Sequence, residues 1–191
     1  MEEFVINNEQ IGLFRSLFAA IDFAAYKHRY QKRKGLRPVP YINHPIAVTK
    51  FVLDHIKNPS LEMLEASILH DTLEDTKTTY EELNSIFGSK VASIVKELTD
   101  DMSLSYEKRK KLQIEHAGSL TYEAGCIKIA DKYCNTYDIL NTYIGWPRIR
   151  KIQYIQWAVQ VVGHIKNKNP ELEEPFIRII ETAGKTLKVN F

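Results

Sequence analysis

Ser67-Ile68-Leu69-His70-Asp71-Thr72-Leu73-Glu74-Asp75 begins as the apolar end of a helix, with Leu64 and Leu61 one and two turns earlier, and ends in an acidic cluster. One imidazole and three carboxylates fall between His70 and Asp75. Residues three and four apart share a helix face, so His70 lies under Glu74, and Asp71 under both Glu74 and Asp75. Like charges at that spacing repel, and burial beside an apolar core raises the cost. A divalent cation offsets it economically, and a mixed imidazole and carboxylate donor set suits Mn²⁺, Fe²⁺ or Zn²⁺. The plainer alternative is a polar helix end with a solvated acidic face.

Around this stretch, 191 residues suffice for one domain with a substantial core. The apolar share of 44% and charged share of 26% are those of a soluble globular protein, and a net charge of +2 does not call for nucleic acid. Cys126 and Cys134 lie in one helical segment, about 12 Å apart at 1.5 Å per residue, too far for a disulfide. No Cys-x-x-Cys pair is present, so a zinc cluster of that kind is not expected. The acidic beginning, Met1 to Glu9, has no long apolar run and reads neither as a signal peptide nor as a membrane span. A reducing cytoplasm is the expected setting.

Residues 8 to about 31 read as an amphipathic helix capped by Asn7 or Asn8, with Ile11, Phe14, Phe18, Ile21 and Ala25 inward. That spacing also puts His28 inward, as a hydrogen-bonded core residue or as a ligand. Lys27, Arg29, Lys32, Arg33, Lys34 and Arg37 follow without an acid among them, broken by Gly35, Pro38 and Pro40 into a loop. This basic run is either a solvated face or, lying next to Tyr41-Ile42-Asn43-His44-Pro45, an anion-binding loop. Pro45 suits a first helical position, which makes His44 an N-cap, and the helix runs to about 57.

Ser60 caps the helix that carries His70 and Asp71. Thr78-x-x-Glu81 reads as a capping box for a helix that stops near Gly88, and another helix covers about 89 to 99. A charged helix spans 107 to 117. In the apolar helix from Ala124, Asp131 and Asn135 form a polar stripe that Asp138 extends. A buried carboxylate there asks for a partner. Helices over 147–167 and about 170–182, the latter closed by Gly184, complete the chain. With no run of strands, the expected class is all-α, a single domain of roughly nine or ten helices.

His44, His70-Asp71 and Asp131 thus stand on three helices in the order H…HD…D, followed by Glu74-Asp75. This order resembles the HD superfamily of metal-dependent phosphohydrolases. Arg33-Lys34, Pro40 to Pro45, Leu69 to Asp75, Phe87-Gly88, Leu98-Thr99-Asp100-Asp101, and Lys128 to Lys132 with Asn135 look like the hydrolase domain of RelA/SpoT-type stringent-response enzymes. The similarity runs from about residue 20 to 163, ending with Tyr154 to Ala158, and leaves no room for a synthetase domain. The chain resembles a stand-alone small alarmone hydrolase, the class that includes the animal homologues, with residues 1–191 as one HD-type helical domain and 170–191 as a C-terminal helix and tail.

The resemblance implies removal of the 3′-pyrophosphate of ppGpp or pppGpp with one Mn²⁺. By position, His44, His70, Asp71 and Asp131 hold the metal, and Glu74 and Asp75 position and deprotonate water. Arg33, Lys34, Asn135, Arg150 and Tyr154 contact the nucleotide, with His28 and Arg29 in supporting places. Phosphoryl transfer needs positioning and charge stabilisation more than covalent help, which agrees with a metal, a nearby carboxylate and a basic loop. A rival is an HD phosphohydrolase acting on an adenine analogue or on the 2′-phosphate of NADPH. A non-catalytic nucleotide-binding regulator is disfavoured because every ligand and Glu74-Asp75 are present. The expected partner is a small nucleotide, not nucleic acid or membrane, and oligomerisation stays open.

Overall fold

The all-α expectation is borne out in a computed structural model that describes residues 7–142, 144–166 and 169–191. The helices are α1 (Asn8–Lys27), α2 (Asn43–His55), α3 (Leu61–Leu69), α4 (Thr72–Asp75), α5 (Tyr80–Leu98), α6 (Tyr106–His116), α7 (Tyr122–Asn141), α8 (Arg148–His164) and α9 (Pro170–Leu187). Among the described residues the only extended pairing is one isolated bridge, Lys32 with Pro40. No described helix is long and apolar enough to cross a membrane. Met1 to Ile6, the bulk of the acidic beginning, and the expected end of the eighth helix at residue 167 lie outside the described residues.

The centre is α3. Met63, Ala66, Ile68 and Leu69 are at most 2% exposed, and α1, α2, α5 and α7 all pack around it. A mainly apolar helix buried on nearly every side is enclosed this way, and its buried Glu65 is met by the Ser16 hydroxyl of α1. Where α1 meets α3, small residues face inward: Ala20 and Ala24 are fully buried. Phe14 and Phe18, expected inward, are instead 52% and 66% exposed, because the face that packs on the core runs through Leu17, Ala20, Ile21, Ala24 and His28. His28 is buried as expected, but α1 ends just before it, since Gln31 N–H donates to His28 O at 2.8 Å and turns the chain.

Other boundaries also differ from the expectation. Asn43 and His44 donate their N–H groups to Pro40 O and Tyr41 O, so α2 starts two residues before Pro45. His44 is therefore inside the first turn, not its N-cap, and Pro45 occupies another position whose N–H needs no helical partner. The helix expected to run unbroken through Asp75 breaks at His70-Asp71. There, Thr72 Oγ1 donates to Leu69 O and His70 Nδ1 to Ser67 O, so side chains satisfy the last carbonyls of α3. Thr79, not Thr78, caps α5 by accepting from Glu82 N, while the Thr78 hydroxyl pairs with Thr76 and the Glu82 carboxylate pairs with Lys27.

Gly184 lies within α9, which runs on to a left-handed cap at Lys188. Its missing side chain is still used: a Cβ there would sit 2.9 Å from Val189 O. The tail folds back over it, and Val189 and Phe191 pack with Ile139, Ile152, Ile155 and Leu187.

Gly88 does mark a boundary: it breaks α5 with φ 86° and ψ 163°, a region essentially reserved for glycine. Next to it, the Phe87 ring sets its edge against Phe23 of α1. Nothing lies near a Cβ built at Gly88, so only backbone strain opposes a side chain there. Gly88→Ala is expected to lower unfolding free energy by about 1–3 kcal/mol in urea titration. An unchanged midpoint would contradict this break in α5.

Candidate active site

Three helices deliver the expected ligands to one place. The break after α3 fixes the His70 ring, 5% exposed, through its Nδ1 bond to Ser67 O at 2.8 Å. With Nδ1 as donor, Nε2 of the neutral ring carries a lone pair. That atom is buried without a hydrogen bond, and it faces Asp71 Oδ2 at 3.1 Å. The first turn of α2 supplies His44, whose Nε2 lies 3.1 Å from Asp131 Oδ1 and 3.7 Å from Asp71 Oδ2. One ligand atom each from His44, His70 and Asp131 lies within 4.8 Å of the others.

Lone pairs of neutral rings facing carboxylate oxygens repel unless a proton or a cation sits between them. The protonation energetics show the same demand. Burial pushes the His70 imidazole down, but Asp71 and Asp131 outweigh it and raise it to about 9. Burial also opposes charge on Asp71 and Asp131, yet neighbouring His70 and Lys132 respectively hold the two carboxyls well below the usual range. The cluster wants positive charge at its centre, and two imidazoles with two carboxylates fit a borderline divalent ion. Tyr41 completes the surroundings: its hydroxyl donates to Asp71 Oδ2 at 2.7 Å, and its ring stacks on His28 with centroids 4.8 Å apart.

A cavity of about 180 Å³ opens beside these ligands, and Glu74 lines it together with Lys128 and Lys132. Glu74 Oε2 accepts from Asp100 N–H at 3.0 Å. Burial, with Asp100 and Asp71 adding to it, raises the Glu74 carboxyl to about 7. Asp75 does not join Glu74 there; it lines a second chamber of about 330 Å³. Burial and Asp71 raise its carboxyl too.

The second chamber gathers the residues expected to meet a nucleotide. Arg33, Lys34, Asn135 and Tyr154 line it, and Arg33, Tyr41 and Asn135 also border the smaller cavity. Arg33 Nη2 donates to Asn135 Oδ1 at 2.8 Å and to Asp138 Oδ2 at 2.6 Å. Arg150 stands over the Trp146 ring at 4.4 Å and Lys34 over it at 5.8 Å. Arg29 turns away, donating to Tyr26 O.

Sequence reasoning gave no role to Tyr41, Trp146 or the lysines of α7. Lys128 and Lys132 are four apart and flank Asp131, a spacing that could have marked them. Both are buried: Lys132 Nζ donates to Asp131 Oδ2 at 2.9 Å and Lys128 Nζ to Leu98 O at 3.1 Å. Lys110 lies over the face of Trp157, and burial together with Lys132 lowers its ammonium to about 6. Lys128 and Lys132 thus bring two amino groups to the cavity opposite the carboxylates, and burial beside one another opposes the charge on Lys128.

Residues 20–135 match the HD domain family model. The guanosine-3′,5′-bis(diphosphate) 3′-pyrophosphohydrolase MESH1 of Danio rerio is 41% identical over 172 residues, covering 90% of this chain and 96% of that protein. The Drosophila melanogaster protein of the same name is 39% identical, covering 86% and 92%. A solved structure described as a metazoan ortholog of SpoT that hydrolyzes ppGpp superposes with a TM-score of 0.85 at 38% identity, over 88% of this chain and 96% of that one.

Glu74 ties the site to stability. A carboxyl moved from 4.5 to about 7 binds extra protons in the folded state, so the metal-free protein loses stability as pH rises through that interval. Glu74→Gln keeps an acceptor for Asp100 N–H and removes the charge. Its melting point in EDTA is expected to exceed the parent's by several degrees at about pH 7.5, with the gap closing towards about pH 5. Parallel melting curves across that range would show that Glu74 titrates normally.

Proposed function

Since this chain belongs to the HD-domain family, alongside the MESH1 pyrophosphohydrolases, we propose that it removes the 3′-pyrophosphate of ppGpp and pppGpp, yielding GDP or GTP. The observation that carries this reading is the meeting of His44, His70, Asp71 and Asp131 beside Glu74 in one cavity that opens towards a cationic and aromatic chamber. Residues 1–191 are read as one hydrolase domain. A cytoplasmic location goes with that reading.

His44, His70, Asp71 and Asp131 would hold one Mn²⁺, a choice supported by their mixed nitrogen and oxygen donors. When bound, a divalent ion supplies Lewis acidity towards a phosphoryl oxygen and lowers the pKa of a water molecule. Tyr41 fixes the orientation of Asp71 through its hydroxyl. Glu74, raised to about 7, is matched to exchanging a proton with water near neutrality. Asp75, on the wall of the outer chamber, orients water or the ribose side of the substrate. Lys128 and Lys132, costly to bury side by side, gain an anionic partner when the diphosphate enters. The electrostatic strain of the empty cavity thus becomes binding and charge stabilisation. In the outer chamber Arg33 and Lys34 meet phosphates, Asn135 and Tyr154 position the nucleoside, and Arg150, held over the Trp146 ring beside the chamber, reaches in to a phosphate when the nucleotide binds.

Incubation of the purified protein with ppGpp and Mn²⁺, followed by nucleotide chromatography, is expected to show GDP and pyrophosphate, and no turnover in EDTA. Phosphate release from NADPH with ppGpp untouched would favour the rival substrate. Asp71→Asn is expected to lose both metal and activity. Glu74→Gln should retain metal by atomic absorption while turnover falls about 10²–10⁴-fold. Equal metal loss in both variants would overturn this division of roles.

A further inference from the structure

On the other side of Arg33 from the nucleotide chamber, α2 and α7 enclose a groove of about 590 Å³ for which the reaction has no use. Its floor is a ladder of near-parallel rings. His55 and Phe51 have centroids 4.2 Å apart, Phe51 and Tyr133 are 4.1 Å apart at 24°, and Tyr133 and Tyr137 are 6.5 Å apart at 24°. Tyr137, which lines the groove, is 51% exposed.

The rim is cationic and only half neutralised. Arg33 is paired with Asp138 and Lys50 with Asp54, whereas Lys34 and Arg37 have no carboxylate partner among the described residues. His44 borders both this groove and the metal-ligand cavity, and its Nδ1 is buried with no hydrogen-bond partner. Histidines that ligate metals normally donate from their second nitrogen, so an acceptor is missing behind this ring.

We infer that the groove is a second nucleotide site, taking a nucleoside 5′-diphosphate with its base stacked on Tyr137 and its phosphates on Lys34 and Arg37. Parallel aromatic faces accept any base, and a volume in the range of about 300–1,000 Å³ suits a small ligand. The site communicates with the reaction. Arg33, Lys34 and Asp138 line both the groove and the nucleotide chamber, so a diphosphate in the groove competes for the guanidinium and the Lys34 ammonium that the substrate needs. Occupancy therefore weakens substrate binding and leaves the metal ligands and Glu74 in place.

GDP is the probe. Calorimetric titration of the Mn²⁺-loaded full chain is expected to give two GDP per chain. Arg37→Glu and Tyr137→Ala, both on exposed side chains outside the reaction machinery, are expected to give one. Without added GDP, kcat and KM for ppGpp should match the parent in both variants. With GDP, KM in the parent should rise more steeply than simple competition allows, at unchanged kcat, and the variants should show simple competition. Equal GDP stoichiometry in the parent and both variants would overturn the inference, as would a variant that loses basal activity while melting like the parent, because the groove would then belong to the reaction site. The stoichiometry is read without turnover, so its result stands apart from the question of which substrate is hydrolysed.

Discussion

Two carboxylates and two imidazoles are held together below the surface with their lone pairs converging, and the fold must supply a positive charge among them. In the metal-free protein a proton on His70 and the ammonium of Lys132 meet part of that demand. Pairing of this kind is expensive to bury and cheap to satisfy with one cation, so a metal requirement follows from the arrangement of side chains.

The helices serve this cluster in identifiable ways. The apolar α3 brings His70 to the centre of the molecule and ends there, because Thr72 and His70 satisfy its last carbonyls with side-chain atoms. The turn at Pro40 and Tyr41 starts α2 early enough to put His44 in its first turn, facing the same point. The α7 stripe delivers Asp131 from the opposite side and Asn135 one turn later. That turn touches Arg33, so the basic loop is held against the ligands by Asn135 and Asp138 rather than left in solvent.

Much of this was legible in the sequence. Helical periodicity with Ser60 and Gly88 gave the elements, and the ordered motifs gave candidate ligands of which His44, His70 and Asp131 offer atoms within 4.8 Å of one another. The misreadings share a physical origin. The periodicity of α1 ranked large apolar residues first, but the face that packs on the core runs through Leu17, Ala20, Ile21 and Ala24 and leaves Phe14 and Phe18 outward. Adjacent threonines made the α5 cap ambiguous, and contact between Thr76 and Thr78 decided it for Thr79. The separation of Glu74 from Asp75 into different chambers depends on the short helix α4 leaving the line of α3, which spacing alone does not reveal. The lysines around Trp157 were silent for a similar reason, since a buried ammonium looks like a surface one until its neighbours are known.

The folded-back tail has a practical consequence. Val189 and Phe191 share an apolar cluster with Tyr154, whose opposite side faces the nucleotide chamber. Val189 and Phe191 thus act as a wedge beneath one wall of that chamber. Trimming either side chain would loosen that wall from behind, while leaving every residue that lines the chamber's interior unchanged.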